Sequence, residues 1–239
     1  MVYVTSDLHG YSLGKFRQKL NEIGFSEEDT LYILGDCVDR GKDGISLLKW
    51  IFSERNVELI LGNHEDMLLN CSFLFVPPKK QITDSSETMS AYFEWMINGG
   101  SQTNQALQEF DEKECIELFD NLRQCPLYKK ITVENKKYLL VHSGLGNFSK
   151  NKKLDDYTKE ELLWSRPDAD TEYFDDITVI FGHTPTEYFG DQYKGRVLKT
   201  KTWIDIDTGT ASPSPMILRL DDMKEFYFKN DDELSSVAV

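Results

Sequence analysis

Short apolar runs recur along the chain, and most of them end in a polar cluster that contains glycine. Five share this form, in chain order MVYVTSDLHG, TLYILGDCVDRG, VELILGNHE, KYLLVHSGLG and ITVIFGHTPT. Runs of this length, rich in β-branched and aromatic residues, predict buried β-strands that are each followed by a turn. Three later runs, in KTWIDIDTG, SPMILRL and EFYFK, predict further strands.

Apolar residues at helical spacing lie between the early strands. Leu13, Phe16, Leu20 and Ile23 share one face of the first predicted helix, as do Ile45, Leu48 and Ile51 with Phe52 in the second. This alternation predicts an α/β sheet covered by helices, whereas the later strands, with few helices between them, predict a second and more antiparallel sheet. We therefore expect an α/β fold with a two-layered mixed β-sheet core, a β-sandwich, flanked by helices.

The middle third of the chain has helical patterns and no strand signal. SETMSAYFEWMINGGSQTNQALQEF is interrupted by a glycine pair, and DEKECIELFDNLRQCP ends at a proline. We expect a helical insertion over about residues 66–125, within a single domain that spans 1–239. Further on, Thr158 and Glu161 have the spacing of a capping box, which predicts a helix start. The final stretch, KNDDELSSVAV, is expected to fray.

Composition narrows the class of protein. The chain has 239 residues, 40% of them hydrophobic, which is enough for a substantial core. A formal net charge of -14 argues against a nucleic-acid or membrane-surface binder, because such affinity rests on basic residues. No apolar run approaches the roughly 18 residues of a membrane span. The 4 cysteines form no CxxC pair and the chain opens directly on a strand, so we expect a reduced, cytoplasmic protein.

All 4 histidines of the chain stand in the polar clusters at strand ends. They are His9, His64, His142 and His183. A single histidine is more often structural than a ligand, but a whole set at the same end of consecutive strands is a different case. The carboxyl ends of the strands form the crevice in which an α/β sheet binds ligands. We therefore expect these clusters to converge in space.

Carboxylates and a carboxamide accompany the histidines. Asp7 and His9 flank a single residue, which on a strand would direct both side chains to the same face. Further candidate ligands follow the neighbouring strands: Asp36, Asn63, His142 and His183. Imidazole, carboxylate and carboxamide oxygen without thiolate suit manganese, iron or zinc. The set suffices for two ions if one carboxylate bridges them, an arrangement that serves in-line displacement at phosphorus.

Five motifs occur in a fixed order: SDLHG, GDCVDRG, GNHE, HSGL and GHT. In this order they resemble the calcineurin-like metallophosphoesterases and, within them, the phosphoprotein-phosphatase type. The motifs span residues 5–184. The resemblance implies a metal-dependent phosphoester hydrolase with two divalent metal ions, manganese being favoured over iron or zinc.

The resemblance assigns the metal ligands residue by residue. It implies that the first ion is held by Asp7, His9 and Asp36. It implies that the second is held by Asp36, Asn63, His142 and His183. Asp36 would then be the bridging ligand, and the hydroxide shared by the two ions would be the nucleophile.

The resemblance also assigns roles to residues that do not bind metal. His64, in GNHE, would protonate the leaving group, and the Asp39 carboxylate would orient it. An adjacent carboxylate favours the imidazolium form, so we expect a raised pKa for His64. Arg40 and Arg166 would bind the non-bridging phosphate oxygens, where a planar guanidinium fits bidentately.

Two departures from the eukaryotic pattern bear on the substrate. Leu61 stands where those members usually have an arginine before GNHE, and Ser143 stands where they usually have a glycine. With NGGSQT at 98–103, these changes resemble the bacterial branch, which includes protein phosphatases and symmetrical diadenosine tetraphosphate hydrolases. We favour a phosphorylated protein or peptide as substrate, on serine, threonine or tyrosine. The alternatives are a dinucleotide substrate and a non-catalytic binding module, the latter disfavoured because no implied ligand is substituted.

Two further features test these alternatives. Cys37 lies inside GDCVDRG, but no HCxxxxxR loop surrounds it, so we expect a small buried packing residue and not a nucleophile. Tyr92, Phe93 and Trp95 fall in one predicted helix of the insertion. Residues at helical spacing belong more often to a core than to a platform for nucleoside stacking, which favours the phosphomonoester substrate.

Overall fold

The computed structural model describes residues 1–209 and 215–228 and contains two five-stranded sheets. The strands of the first sheet are β1 (Val2–Thr5), β2 (Thr30–Ile33), β3 (Val57–Leu59), β9 (Met216–Arg219) and β10 (Lys224–Tyr227). Their order across the sheet is β10-β9-β1-β2-β3. The expected fraying of KNDDELSSVAV falls outside the described residues.

The second sheet holds the remaining strands of the described residues. They are β4 (Tyr128–Val133), β5 (Lys136–Val141), β6 (Thr178–Phe181), β7 (Leu198–Lys199) and β8 (Trp203–Asp205). Their order is β4-β5-β6-β8-β7. The expected two-layered mixed core is confirmed, and β4 and β7 are strands that the sequence pattern did not predict.

The expected antiparallel character of the second sheet is wrong. In the first sheet β1 pairs in parallel with β2, and β2 with β3, while β9 pairs antiparallel with both β1 and β10. In the second sheet β5–β6 and β6–β8 are parallel, and β4–β5 and β7–β8 are antiparallel. Both sheets are equally mixed, because the last two strands join the first sheet beside β1.

Helices cover the outer faces and fill the middle of the chain. They are α1 (Leu13–Glu22), α2 (Gly44–Ser53), α3 (Asn63–Asn70), α4 (Ser86–Ile97), α5 (Ser101–Leu107), α6 (Glu112–Gln124) and α7 (Lys159–Leu163). The glycine pair separates α4 from α5, as expected. The capping box at the start of α7 is confirmed: Thr158 Oγ1 accepts from the Glu161 amide at 3.2 Å, and Glu161 Oε2 accepts from the Thr158 amide at 2.9 Å.

The core is divided by the alternation of side chains along the strands. In β1, Val4 packs between the two sheets together with Leu140 and Ile180 of the second sheet. Its neighbour Tyr3 points the other way, into the helical layer with Phe16 of α1. Successive residues of a strand face opposite sides, so each sheet serves two hydrophobic layers.

The carboxyl ends of the parallel strands carry loops that meet between the two sheets. After β6, Gly182 approaches the loop that follows β1 so closely that a Cβ on it would lie 2.0 Å from Ser6 Oγ and 2.1 Å from Asp7 Oδ2. Only glycine fits this contact. Within the described residues, no helix is both long and apolar enough to cross a membrane.

Candidate active site

The loops that follow the strands hold their polar residues in left-handed backbone conformations. Positive φ values occur at Asp7 (54°), His9 (41°), Asp36 (56°), Asp39 (69°), Arg40 (63°) and His183 (66°). Such conformations cost non-glycine residues about 1–3 kcal/mol each and persist where the surrounding structure enforces them. The expectation that Asp7 and His9 share a strand face is therefore wrong, because β1 ends at Thr5 and both residues lie in the turn beyond it.

Three nitrogen and oxygen atoms from different loops converge in the first cluster. Asn63 Oδ1 lies 2.8 Å from His142 Nε2 and 3.0 Å from His183 Nδ1, and the two ring nitrogens are 3.2 Å apart. Asp36 Oδ1 joins them at 3.4 Å from His142 Nε2. Asp36, His142 and His183 are all buried.

The hydrogen bonds of His142 indicate whether this cluster could bind a cation. Its Nδ1 lies 2.7 Å from the carbonyl oxygen of Leu34, an acceptor, so the ring proton sits there and Nε2 presents a lone pair. That lone pair faces the amide oxygen of Asn63 and the carboxylate of Asp36. Two acceptor oxygens that face this lone pair, in a buried cluster with a second imidazole, fit a divalent metal ion.

A second cluster lies on the other side of Asp36. His9 Nε2 is 3.7 Å from Asp36 Oδ2 and 3.9 Å from Asp7 Oδ1. His9 Nδ1 lies 3.4 Å from the carbonyl oxygen of Val38, which turns Nε2 toward the carboxylates. Burial and the nearby His64 lower the pKa of His9 to about 3, which keeps its ring in the neutral, ligating form. Asp36 thus presents one oxygen to each cluster, as a bridging ligand would.

Asp7 also connects the two sheets. Its Oδ2 accepts from the amide of His183 at 3.0 Å and from the hydroxyl of Ser6. Its Oδ1 is left facing His9. The carboxylate is therefore oriented by the second sheet, although it belongs to a loop of the first.

His64 forms a pair with Asp39 beside these clusters. His64 Nδ1 lies 2.7 Å from Asp39 Oδ2, and both side chains are buried. The indole N–H of Trp95 donates to both oxygens of Asp39, at 3.0 and 3.1 Å. Thr103 Oγ1 accepts from the amide of Asp39 at 2.9 Å. Trp95 thus orients the carboxylate, and Thr103 fixes the backbone that carries it.

The expected raised pKa of His64 is wrong. Burial and the neighbouring Arg40 lower the pKa of His64 to about 3. Burial raises the pKa of Asp39 to about 6, against the hydrogen bonds from Thr103 and Trp95. Desolvation penalises the charged form of both groups, and it is the largest cause of each shift.

Two arginines stand at the mouth of the site. Arg40 is exposed, and its Nη2 lies 3.4 Å from His64 Nε2. Arg166 is also exposed, and its Nη1 donates to the carbonyl oxygen of His183 at 3.2 Å. Together with the clusters they line a pocket of about 160 Å³. Its lining comprises Asp7, His9, Asp36, Arg40, Asn63, His64, Asn98, Trp164, Arg166, His183, Pro185 and Asp207.

Glu65 is a structural part of the site that sequence reasoning missed. Its Oε2 accepts from the amides of Asp36 at 2.8 Å and Gly62 at 3.1 Å. Its Oε1 accepts from the amides of Cys37 at 2.7 Å and Val38 at 3.2 Å. The buried carboxylate therefore fixes the loop that carries Asp36. The sequence did contain a signal for this role: Glu65 ends the GNHE motif and is the third residue of α3, where a glutamate commonly accepts from backbone amides.

Three other residues near the site were also missed. Asp207, after β8, lines the pocket, whereas the pattern in KTWIDIDTG predicts only a strand. Trp95 lies in the core as expected but also donates to Asp39, whereas Phe93 is 57% exposed, so its expected place in the core is wrong. The carbonyl of Gly99 accepts from the amide of Arg40 at 3.0 Å, and a Cβ on Gly99 would lie 2.9 Å from Arg40 Cγ. The NGG segment thereby positions Arg40.

Cys37 is buried beneath the same loop. Burial and the adjacent Glu65 raise the pKa of its thiol, so it stays protonated. A neutral, enclosed thiol cannot serve as the nucleophile. Its expected role as a packing residue is confirmed.

Comparison with known proteins agrees with this geometry. The family model for calcineurin-like phosphoesterases matches residues 1–208. The chain belongs to that family. This phosphoesterase is 30% identical over 200 residues to serine/threonine-protein phosphatase 2 of Salmonella typhimurium, a match that covers 78% of this chain and 81% of the relative.

Two further similarities are to proteins named as tetraphosphatases. The phosphoesterase is 28% identical over 197 residues to a symmetrical bis(5'-nucleosyl)-tetraphosphatase of Chromobacterium violaceum, covering 80% of this chain but 58% of that protein. It also shares its fold with the crystal structure of a candidate diadenosine tetraphosphatase. That match has a TM-score of 0.64 at 16% identity and covers 95% of this chain and 92% of the other.

Proposed function

We propose that this phosphoesterase hydrolyses phosphoserine and phosphothreonine, and also phosphotyrosine, in proteins. The proposal includes two divalent ions, manganese first, as cofactors. It also includes action in the cytoplasm, where the four free cysteines would stay reduced.

The observation that carries the choice of substrate is the small, weakly aromatic pocket. Its volume of about 160 Å³ lies below the roughly 300–1,000 Å³ of sites that enclose drug-sized ligands. Among the described residues that line it, Trp164 is the one aromatic ring apart from the histidines. Trp95, which a nucleoside could have used, is buried against Asp39. A phosphorylated side chain fits such a pocket, whereas two nucleosides would lack stacking partners.

The extent of similarity supports the same choice. The match to the Salmonella serine/threonine-protein phosphatase covers 81% of that protein, whereas the match to the Chromobacterium tetraphosphatase covers 58% of that one. More than a third of the tetraphosphatase therefore has no counterpart in the match. A shared overall length favours a shared arrangement around the pocket.

Six residues would hold the metal ions in this proposal. Asp7, His9 and Asp36 would bind one, and Asp36, Asn63, His142 and His183 would bind the other. Divalent ions bound there would lower the pKa of a bound water and offset charge that develops on the phosphoryl oxygens. The chain itself contributes the alignment of these ligands, through Glu65 beneath Asp36 and through the Leu34 carbonyl behind His142.

The remaining residues would bind the phosphate and assist departure of the alcohol. Arg40 and Arg166, at the mouth, would each donate to phosphoryl oxygens. His64 would protonate the leaving oxygen from Nε2 while Asp39 holds Nδ1. In the free protein the positive charge of Arg40 lowers the pKa of His64. A bound phosphate dianion would offset that charge and so favour the protonated ring.

Catalytic efficiency on two substrate classes tests the proposal. We expect kcat/KM with manganese to be higher on phosphoserine and phosphothreonine peptides than on diadenosine tetraphosphate. 4-Nitrophenyl phosphate, which needs neither peptide nor nucleoside contacts, serves as the reference substrate. An advantage of about a hundredfold for the dinucleotide, equivalent to roughly 2.7 kcal/mol of transition-state binding, would contradict the protein-phosphatase proposal.

The second candidate is a symmetrical dinucleoside tetraphosphate hydrolase. The observation that favours it is Trp164, which is 36% exposed at the pocket mouth and could stack on a base. If this candidate is right, Trp164→Leu should raise KM for the dinucleotide and leave the rate on 4-nitrophenyl phosphate unchanged.

A further inference from the structure

Helix α4 carries three large apolar side chains on its solvent side. Met89, Phe93 and Ile97 are 39%, 57% and 82% exposed. They are spaced four residues apart, so they lie along one face of the helix. We call this row the α4 stripe. Exposed apolar rows of this kind mark interaction sites more often than isolated exposed residues do.

The opposite face of α4 already attaches the helix to the domain. Trp95 is fully buried there, and Thr88 is buried near the first turn. Tyr92 and Met96 pack against the same hydrophobic core. The stripe is therefore not needed to fix α4 in place.

The α4 stripe begins at the edge of the catalytic pocket. Ile97 is the last residue of α4, and the next residue, Asn98, lines the pocket. Gly99 follows, and its carbonyl accepts from the amide of Arg40. At 1.5 Å of rise per residue, Phe93 lies about 6 Å and Met89 about 12 Å farther along the helix. The stripe therefore starts one residue before Asn98 of the pocket and runs back along α4 from there.

We propose that the α4 stripe binds the polypeptide segment on one side of the phosphorylated residue of the substrate, and that it selects apolar residues there. This inference rests on the proposed protein-phosphatase function. An extended chain advances about 3.3 Å per residue, so a track of about 12 Å spans about four residues. The stripe therefore selects positions within about four residues of the phosphorylated side chain.

The charges on α4 indicate which substrate residues can bind along the stripe. Glu87 and Glu94 are exposed on the same helix as the stripe. The chain as a whole has a formal net charge of -14. Acidic residues that lie along the stripe are therefore disfavoured, whereas apolar and basic ones are accepted there. The partner that fits is a phosphoprotein segment with apolar, non-acidic flanks.

The test compares the double variant Phe93→Ser/Ile97→Ser with Ile116→Ser. Ile116 is 39% exposed on α6 and does not line the pocket, so it is the matched control. The substrates are a phosphoserine peptide with leucine at the flanking positions, the same peptide with serine there, and 4-nitrophenyl phosphate. Far-UV circular dichroism and thermal unfolding establish that each variant is folded.

We expect the double variant to lose about tenfold in kcat/KM on the leucine peptide, mainly through KM, as for truncation of an interface anchor. Its rates on the serine peptide and on 4-nitrophenyl phosphate should stay at the wild-type level. The control should behave as wild type on all three substrates.

The other outcomes overturn the inference in distinguishable ways. An equal loss on all three substrates would mean that the stripe supports the pocket and selects nothing. Wild-type behaviour on all three, with a dimer in sedimentation that the double variant abolishes, would assign the stripe to contact between copies of this chain. Hydrolysis of 4-nitrophenyl phosphate and diadenosine tetraphosphate without any peptide activity would refute the protein-phosphatase function itself, and the stripe's proposed occupant with it.

Discussion

The indole N–H of Trp95 donates to both carboxylate oxygens of Asp39, at 3.0 and 3.1 Å, and Asp39 in turn lies 2.7 Å from His64 Nδ1. A side chain of the helical insertion therefore orients the histidine that we propose as the general acid. The insertion and the catalytic loops act as one unit at this point, although 56 positions separate Trp95 from Asp39.

Trp95→Phe should impair catalysis by freeing Asp39. The ring volume is largely kept, but the donors to the carboxylate are lost, and hydrogen bonds to charged groups are worth about 1.5–3 kcal/mol. We expect kcat to fall by about tenfold or more. Trp203→Phe is the control, because Trp203 is buried in the second sheet and donates to the Thr171 carbonyl, far from His64 in the chain. Equal losses of kcat in Trp95→Phe and Trp203→Phe would contradict the proposal that Trp95 acts through Asp39.

The same variant should shift the pH dependence. The pKa of Asp39 is raised to about 6, and its ionised form is the one that accepts from His64. Activity should therefore fall as the pH drops through about 6. Hydrogen bonds to a carboxylate lower its pKa, so removing those of Trp95 should move this acid limb to higher pH. The measurement is the pH profile of kcat for the wild type and Trp95→Phe. If the acid limb stays at the same pH in the variant, a group other than Asp39 causes it.

His64→Asn should slow the reaction without emptying the metal site. A general acid contributes about 10²–10⁴ in rate, so turnover on phosphopeptides should fall by that order. The loss should be smaller on 4-nitrophenyl phosphate, whose leaving group needs no proton. Metal content by mass spectrometry is measured alongside the kinetics. Loss of metal together with activity would show that His64 is a ligand.

Asp36→Asn should abolish activity, because Asp36 presents an oxygen to each cluster and a neutral amide bridges two cations poorly. Chelation of the wild type should likewise abolish activity. The variant and the chelated wild type should both still unfold cooperatively, since the sandwich core is large, but at a lower temperature because the stabilisation from metal binding is lost. Outright unfolding by the chelator would mean that the metal is needed for the fold.

Glu65→Gln should weaken metal binding through the loop that carries Asp36. Four amides donate to the carboxylate, at Asp36, Cys37, Val38 and Gly62, and a glutamine has one oxygen to offer them. We expect a loss of about 1–3 kcal/mol in the free energy of unfolding for buried donors left unpaired.

A matched glutamate provides the control for that variant. Glu114 occupies the same third position in α6 and accepts from the amide of Asp111 at 3.1 Å, but at an exposed site. Glu114→Gln should change stability and metal affinity little. Comparable effects of the two variants, by denaturant unfolding and metal titration, would argue that helix capping alone explains Glu65.

Whether a structural feature could be predicted from the sequence depends on how far apart in the chain the interacting residues lie. The strand runs, the break at Gly99 and Gly100 and the capping box of Thr158 are local patterns, and all were predictable. Each is set by residues a few positions apart. The polar clusters were predictable for the same reason: they follow strand ends, and the carboxyl ends of parallel strands share one edge.

The sequence by itself therefore determined the chemistry of the site: which imidazoles, carboxylates and arginines are available, and at which end of the sheets. Only the tertiary structure decided how they act. Three of its features join distant parts of the chain. β9 pairs with β1, Glu65 accepts from the amide of Asp36, and Trp95 donates to Asp39. Burial then reversed the expected pKa of His64, because desolvation depends on everything packed around a group and not on its neighbours in sequence.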